Sequence, residues 1–197
     1  MLFRVFLIAS VLASQTSLPD QLPIGGYVDD ESYAIYSAIL NQDPFVDDRA
    51  SKRILISGET TPESDLEAAC PTRLAKYDPA VRQAVEAYGR ANQSTYLLES
   101  HFTLRKAYKL LDDSAWGVVF ENKKDPSAVL KQLYALNPGA RGIYSFSAVG
   151  FNLERTVAIV HVLFYCDWLC VESNRFVVRK IGGKWQSVED LGCGGVS

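Results

Sequence analysis

The sequence predicts an α+β fold in which N-terminal helices pack on a C-terminal four-stranded antiparallel meander. Three observations carry that expectation. The first two thirds of the chain holds segments with apolar residues at helical spacing behind recognisable caps. From Gly142 onward the chain is a succession of strand-forming segments. The connections between those segments are short, and short connections force antiparallel neighbours.

The elements follow in order. Asp29 and Asp30 suit a helix start, with Glu31 favourable in the first turn, and Tyr33, Tyr36 and Ile39 or Leu40 mark one face of a helix over 31–41. Lys52 to Gly58 is a short apolar strand closed by glycine. Asp78-Pro79 is a cap followed by proline at the first helical position, and Val81, Val85 and Tyr88 predict a helix over 79–91. From Thr95 to Val119 the pattern is ambiguous: His101, Leu104, Tyr108 and Leu111 share helical spacing, yet Thr103 to Leu110 also suits an extended chain. Asp125-Pro126 opens a third helix, ended by Asn137-Pro138-Gly139. Gly142 to Val149 is rich in strand formers. Thr156 to Tyr165 is apolar on both faces, as a central strand is. Arg175 to Ile181 and Lys184 to Val188 complete the meander across Gly182-Gly183, a two-residue hairpin signal.

Composition bounds the rest. The 197 residues carry 48% hydrophobic and 22% charged side chains, the proportions of a globular chain, which excludes a disordered or low-complexity one. A net charge of −3 and a pI near 5.4 point away from a nucleic-acid partner. The start, Met1 to Ala13, places one basic residue before an apolar run that ends in small residues. That is the pattern of a secretory signal peptide, with cleavage expected after Ala13. Residues 14–28 then read as a linker or loose arm, and 29–197 as a single domain. No later stretch approaches the ~20 apolar residues a membrane span needs, so the mature chain is expected to be exported to the periplasm or beyond the cell.

Export changes the meaning of the four cysteines, Cys70, Cys166, Cys170 and Cys193: an even count in an oxidising compartment suggests disulfides. Four cysteines allow three pairings. One joins Cys166 to Cys170 and leaves Cys70 for Cys193; the others cross-link the two regions differently. A 166–170 bond requires a turn, because in a continuous strand four rises of about 3.3 Å hold the pair too far apart.

The residues Phe146-Ser147-Ala148-Val149-Gly150-Phe151-Asn152, the strand from Thr156, Cys166 and Cys170, Gly183-Lys184-Trp185 and the terminal Val196-Ser197 together resemble a group of uncharacterised exported bacterial proteins. In that group a SxVGFN strand leads into an apolar strand, followed by a CGxLCG-like turn and a dGxW hairpin. The resemblance is close over about the last 60 residues and loose elsewhere, where an opening helix and a strand ending near Thr60 or Thr61 are similar. The chain departs from the group at Asp167-Trp168 and Val171, which stand where the group has glycines, and in the tail Cys193-Gly194-Gly195. The resemblance implies bacterial export and transfers no catalytic residue. Helices on a meander ending in Gly-Lys-Trp also resemble cystatin-like or NTF2-like folds, an analogy of fold alone.

Few constellations carry chemistry. His161 sits in the row Val157, Ile159, His161, Leu163, Tyr165, either as a hydrogen-bonded core residue or as a pocket residue under the helices. His101 follows Glu99-Ser100 and reads as a solvated side chain. His161, Cys166 and Cys170 are chemically able to bind zinc, but a lone Cys-x₃-Cys lacks the second ligand pair, and no cofactor or metal is expected. Gly-x-Ser-x-Gly and phosphate-binding glycine loops are absent, and the pairs Asp47-Asp48 and Asp112-Asp113 read as solvated loop charges. Asn92-Gln93-Ser94 is a formal glycosylation sequon. Trp168, inside the Cys166–Cys170 loop, either presents a rigid aromatic to a partner or plugs the sheet end. The function expected is therefore a non-enzymatic exported module that binds a protein or small molecule through Trp168. The alternative is a binding or hydrolytic protein with a pocket near His161.

Overall fold

The computed structural model describes residues 24–43, 46, 51–63, 76–112, 126–167, 170–191 and 195–196. Their elements run β1 (Ile24–Tyr27), α1 (Asp30–Leu40), β2 (Arg53–Ser57), α2 (Pro79–Ala91), β3 (Thr95–Leu97), β4 (Ala107–Leu111), α3 (Pro126–Leu136), β5 (Ala140–Phe146), β6 (Gly150–Phe151), β7 (Val157–Asp167), β8 (Cys170–Ile181), β9 (Lys184–Asp190) and β10 (Gly195–Val196). All three expected helices form where caps and spacing place them. Asp29 accepts from the Ser32 N–H to open α1, and Asp78 does the same from the Val81 N–H ahead of Pro79 in α2.

The expected four-stranded antiparallel meander is not what forms. The C-terminal segments are strands, but they belong to an eight-stranded mixed sheet with the order β10-β8-β7-β5-β2-β4, β6 on β7 and β9 on β8. β2 runs parallel to both β4 and β5. Chain continuity constrains only consecutive strands, whereas β2 and β4 enter the sheet through long crossovers, the second containing α3, and such connections permit parallel pairing. The ambiguous segment around Leu104–Leu111 resolves partly as strand β4. The fold analogy built on an all-antiparallel meander falls with the meander.

Helices also cover both faces of the sheet rather than one. On one face, α1 (Tyr33, Tyr36, Ile39, Leu40) packs on Ile54, Ile56, Tyr144, Phe146, Val160, Val162 and Val178. On the other, α2 (Val81, Ala84, Val85, Tyr88) packs on Val157, Ile159 and Val177, and α3 (Leu130, Leu133) on Leu55, Leu111 and Ile143. A strand apolar on both faces needs both covered, and β7 supplies alternate residues to each. β1 pairs in parallel with β3 as a separate ribbon, and β3 is tied to the end of β2 by Thr60 N–H to Tyr96 O (2.9 Å) and Leu98 N–H to Gly58 O (2.8 Å).

The segment Ser147–Asn152 is where the chain leaves β5 and returns to β7, and nearly every side chain in it has a structural duty. Ser147 Oγ accepts from the His161 N–H at 2.9 Å, and the Ser147 carbonyl accepts from the buried Tyr36 hydroxyl. Ala148 is held by the Asn92 amide on both its N–H (2.9 Å) and its C=O (3.0 Å). A Cβ on Gly150 would lie 2.2–2.5 Å from the backbone of Tyr88 and Ala84, so only glycine lets α2 come this close. Asn152 Oδ1 takes the N–H groups of Thr156 and Val157, closing the turn into β7.

Candidate functional site

On the sheet face between α2 and α3, the two apolar clusters are separated by a polar one. His161 and Arg175 are register partners on β7 and β8, and Ser173 is two residues from Arg175 on the same face. Glu63, just beyond β2, comes down onto them. Glu63 Oε2 lies 3.0 Å from His161 Nδ1 and accepts from Arg175 Nε at 2.9 Å and from the Tyr88 hydroxyl at 3.0 Å, while Oε1 takes a second Arg175 nitrogen. His161 Nε2 lies 2.8 Å from Ser173 Oγ. A carboxylate only accepts, so Nδ1 carries the imidazole proton and Nε2 accepts from the Ser173 hydroxyl.

The electrostatics follow from burial. Loss of water lowers the His161 pKa to about 4; Glu63 opposes this and Arg175 adds to it. Burial alone would raise Glu63, but the Arg175 hydrogen bonds and charge, the neighbouring His161 and the Tyr88 hydroxyl together hold it below the ordinary carboxylate range. Burial, with the Glu63 charge beside it, pushes the Tyr88 hydroxyl well up.

Ser173, His161 and Glu63 thus stand in the hydrogen-bonding order of a nucleophile, base and orienting acid. Their surroundings oppose that use. Arg175 neutralises the carboxylate that would stabilise an imidazolium, and the imidazole is a weak base. Ser173 sits within a regular ladder between Leu163 and Gly195 rather than on a strained elbow. The cluster fits a clamp that closes the gap between α2 and α3.

The second feature is an open cleft of about 380 Å³ walled by the β1–β3 ribbon, the start of α1, the end of α2 and β6. Tyr27, Tyr96 and Phe151 supply aromatic walls and Ala87 and Ala91 a small-residue side; Asp29 and Arg155 stand at the polar side. Arg155 is held by Asp29 Oδ2 (2.7 Å) and Glu31, with its guanidinium 3.8 Å from the Phe151 ring centroid. Glu31 also receives Lys180 and the Trp185 indole N–H. Burial would raise its carboxyl, yet these donors, Lys180 foremost, lower it.

The residues expected to matter are placed as follows. His161 is buried in the clamp, and the cleft is not lined by it. His101 is half exposed beside Asp30 and Glu99. Cys166 and Cys170 form a disulfide across the β7–β8 turn, with Cα atoms 5.2 Å apart, so their sulfurs are not thiolates available to zinc. Trp168, Cys70, Cys193, Asp47, Asp48 and Asp113 lie outside the described residues. Among the described residues, no three His, Cys, Asp or Glu side chains gather as metal ligands, and no helix is long and apolar enough to cross a membrane. Sequence reasoning missed Glu63, Arg175, Ser173 and Tyr88 as a cluster. Alternation along β8 would have paired Ser173 with Arg175, but Glu63 lies in an irregular stretch with no local signal.

No protein-family model, curated protein or solved structure matches the chain.

Proposed function

We propose that the protein is an exported, non-enzymatic binding module whose ligand sits in the cleft between the β1–β3 ribbon and α2. The observation that carries this reading is the cleft itself: its size falls within the roughly 300–1,000 Å³ of small-molecule sites, and apolar walls surround a few fixed polar groups. Arg155 is pre-organised by two carboxylates and a ring, so a ligand orders little on arrival. The signal-like start supports export, and intact mass of the secreted product tests it, with cleavage after Ala13 expected.

N-acetylphenylalaninamide, titrated at millimolar concentration into ¹⁵N-labelled protein, tests the site. Amide shifts confined to residues around Tyr27, Tyr96, Phe151 and Arg155 are expected. Absence of shifts there refutes the reading. The hydrolytic alternative rests on the Ser173–His161–Glu63 order; hydrolysis of p-nitrophenyl acetate abolished by Ser173→Ala would favour it over binding.

A further inference from the structure

We infer that the partner is an extended peptide segment that adds to β1 as an edge strand and puts an apolar or aromatic side chain into the cleft. The inference rests on the cleft reading and adds an independent observation, the edge of β1. Among the described residues β1 pairs only with β3. The Val28 N–H turns inward to Leu97 O at 3.3 Å. Tyr27 is the register partner of Leu97, so by alternation its own N–H and C=O turn outward, away from β3.

Edges of this kind are ordinarily guarded by charge, proline or a cover. β1 reads Ile-Gly-Gly-Tyr, with Ile24 65% and Tyr27 60% exposed, and a Cβ on Gly26 would meet nothing within 4 Å. Among the described residues its guard is the register irregularity between Ile24 and Tyr27, which limits regular pairing to a short stretch at Tyr27. Tyr27 also lines the cleft. The Tyr96 ring lies against Gly25, a position that a side chain at 25 would deny it. A strand added at Tyr27 carries its side chains alternately to the two faces of the ribbon, so one set lies on the face of the Tyr96 ring. Main-chain bonds then supply affinity and the cleft supplies selection, as in strand addition elsewhere. The charges at the rim, Asp29 and Arg155, already neutralise one another, so an uncharged segment is the match.

The test compares four probes by amide shifts of the full chain: the blocked pentapeptide Ac-Thr-Val-Phe-Val-Thr-NH2, its two twins N-methylated on alternate residues, and N-acetylphenylalaninamide. The pentapeptide is expected to bind at least about tenfold tighter than the single residue, to shift the Tyr27 amide, and to lose about tenfold in one of the two twins, the equivalent of one or two main-chain hydrogen bonds. If the single residue binds the cleft and the pentapeptide binds no better, with both twins unimpaired, strand addition is wrong and the cleft reading stands. If neither binds, both fall. If the Tyr27 amide instead shifts with protein concentration as sedimentation shows a dimer, the occupant of the edge is a second copy and the inference is overturned.

Discussion

The buried imidazole makes a quantitative demand on acid stability. The His161 side chain is 6% exposed and its pKa falls from 6.5 to about 4 on folding. Between those values the unfolded chain holds the proton and the folded chain does not, so stability rises with pH. Above pH 6.5 the full contribution is present; it drains away as pH falls toward 4, and below 4 both states are protonated and nothing further is lost. The whole interval is worth about 3 kcal/mol at 1.36 kcal/mol per pH unit, and the part between pH 7 and pH 4.5 about 2 kcal/mol. Urea unfolding followed by fluorescence at pH 7, 6, 5 and 4.5 measures it, with His161→Gln as the control. Glu63, its carboxyl lowered chiefly by Arg175, also loses stability as pH falls; that contribution is present in both proteins, and because His161 touches Glu63 the comparison reads the imidazole together with its coupling to the carboxylate. The wild type should lose about 2 kcal/mol more than the variant over this range. Parallel pH curves for the two proteins would refute a neutral, desolvated His161.

Three further variants test the packing around α2 and the cross-link at the β7–β8 turn. Gly150→Ala forces a methyl onto the backbone of α2, which cannot yield as a flexible side chain would, and should cost about 3 kcal/mol or leave the chain unfolded in a urea titration. Asn92→Ala strips both main-chain groups of Ala148 of their partner and should lower the unfolding free energy by about 2 kcal/mol. Replacing Cys166 and Cys170 together by serine removes a cross-link of sequence separation 4 and should cost about 2 kcal/mol by chain entropy, with reduction of the wild type giving a loss at least as large.

What was legible in the sequence follows the range of the forces involved. α1 and α2 were readable because their caps, Asp29 and Asp78, and their apolar spacing are local. The turn at Cys166–Cys170 was readable because the disulfide is geometrically impossible without it. The sheet was misjudged because β2 and β4 lie far from the C-terminal strands in sequence, and nothing in Arg53–Ser57 announces that it runs parallel to β5. His161 was correctly placed in its row on β7, but its partners come from three separate segments, and only the fold brings Glu63, Tyr88 and Ser173 within reach. The cleft was invisible for the same reason: Tyr27 stood in a stretch read as a loose arm, and Tyr96 in one of uncertain periodicity.

The distribution of polar groups separates scaffold from surface. Ser147, Asn152, Gly150 and Trp185 are spent inward: on the β5–β7 crossover, on close approach to α2, and on Glu31. The clamp is likewise spent inward, since each of the four groups around Glu63 satisfies another and closes the gap between two helices. An uncompensated charge there would be costly, which accounts for Arg175 and Glu63 occurring together. Tyr27, Ile24 and the outer edge of β1 are different. They satisfy no internal requirement that α1 or the sheet imposes, and burying them would remove apolar surface from water. A group that the fold does not use and that water does not favour is where a partner gains the most, and Tyr27 is the exposed large apolar side chain that also lines the cleft.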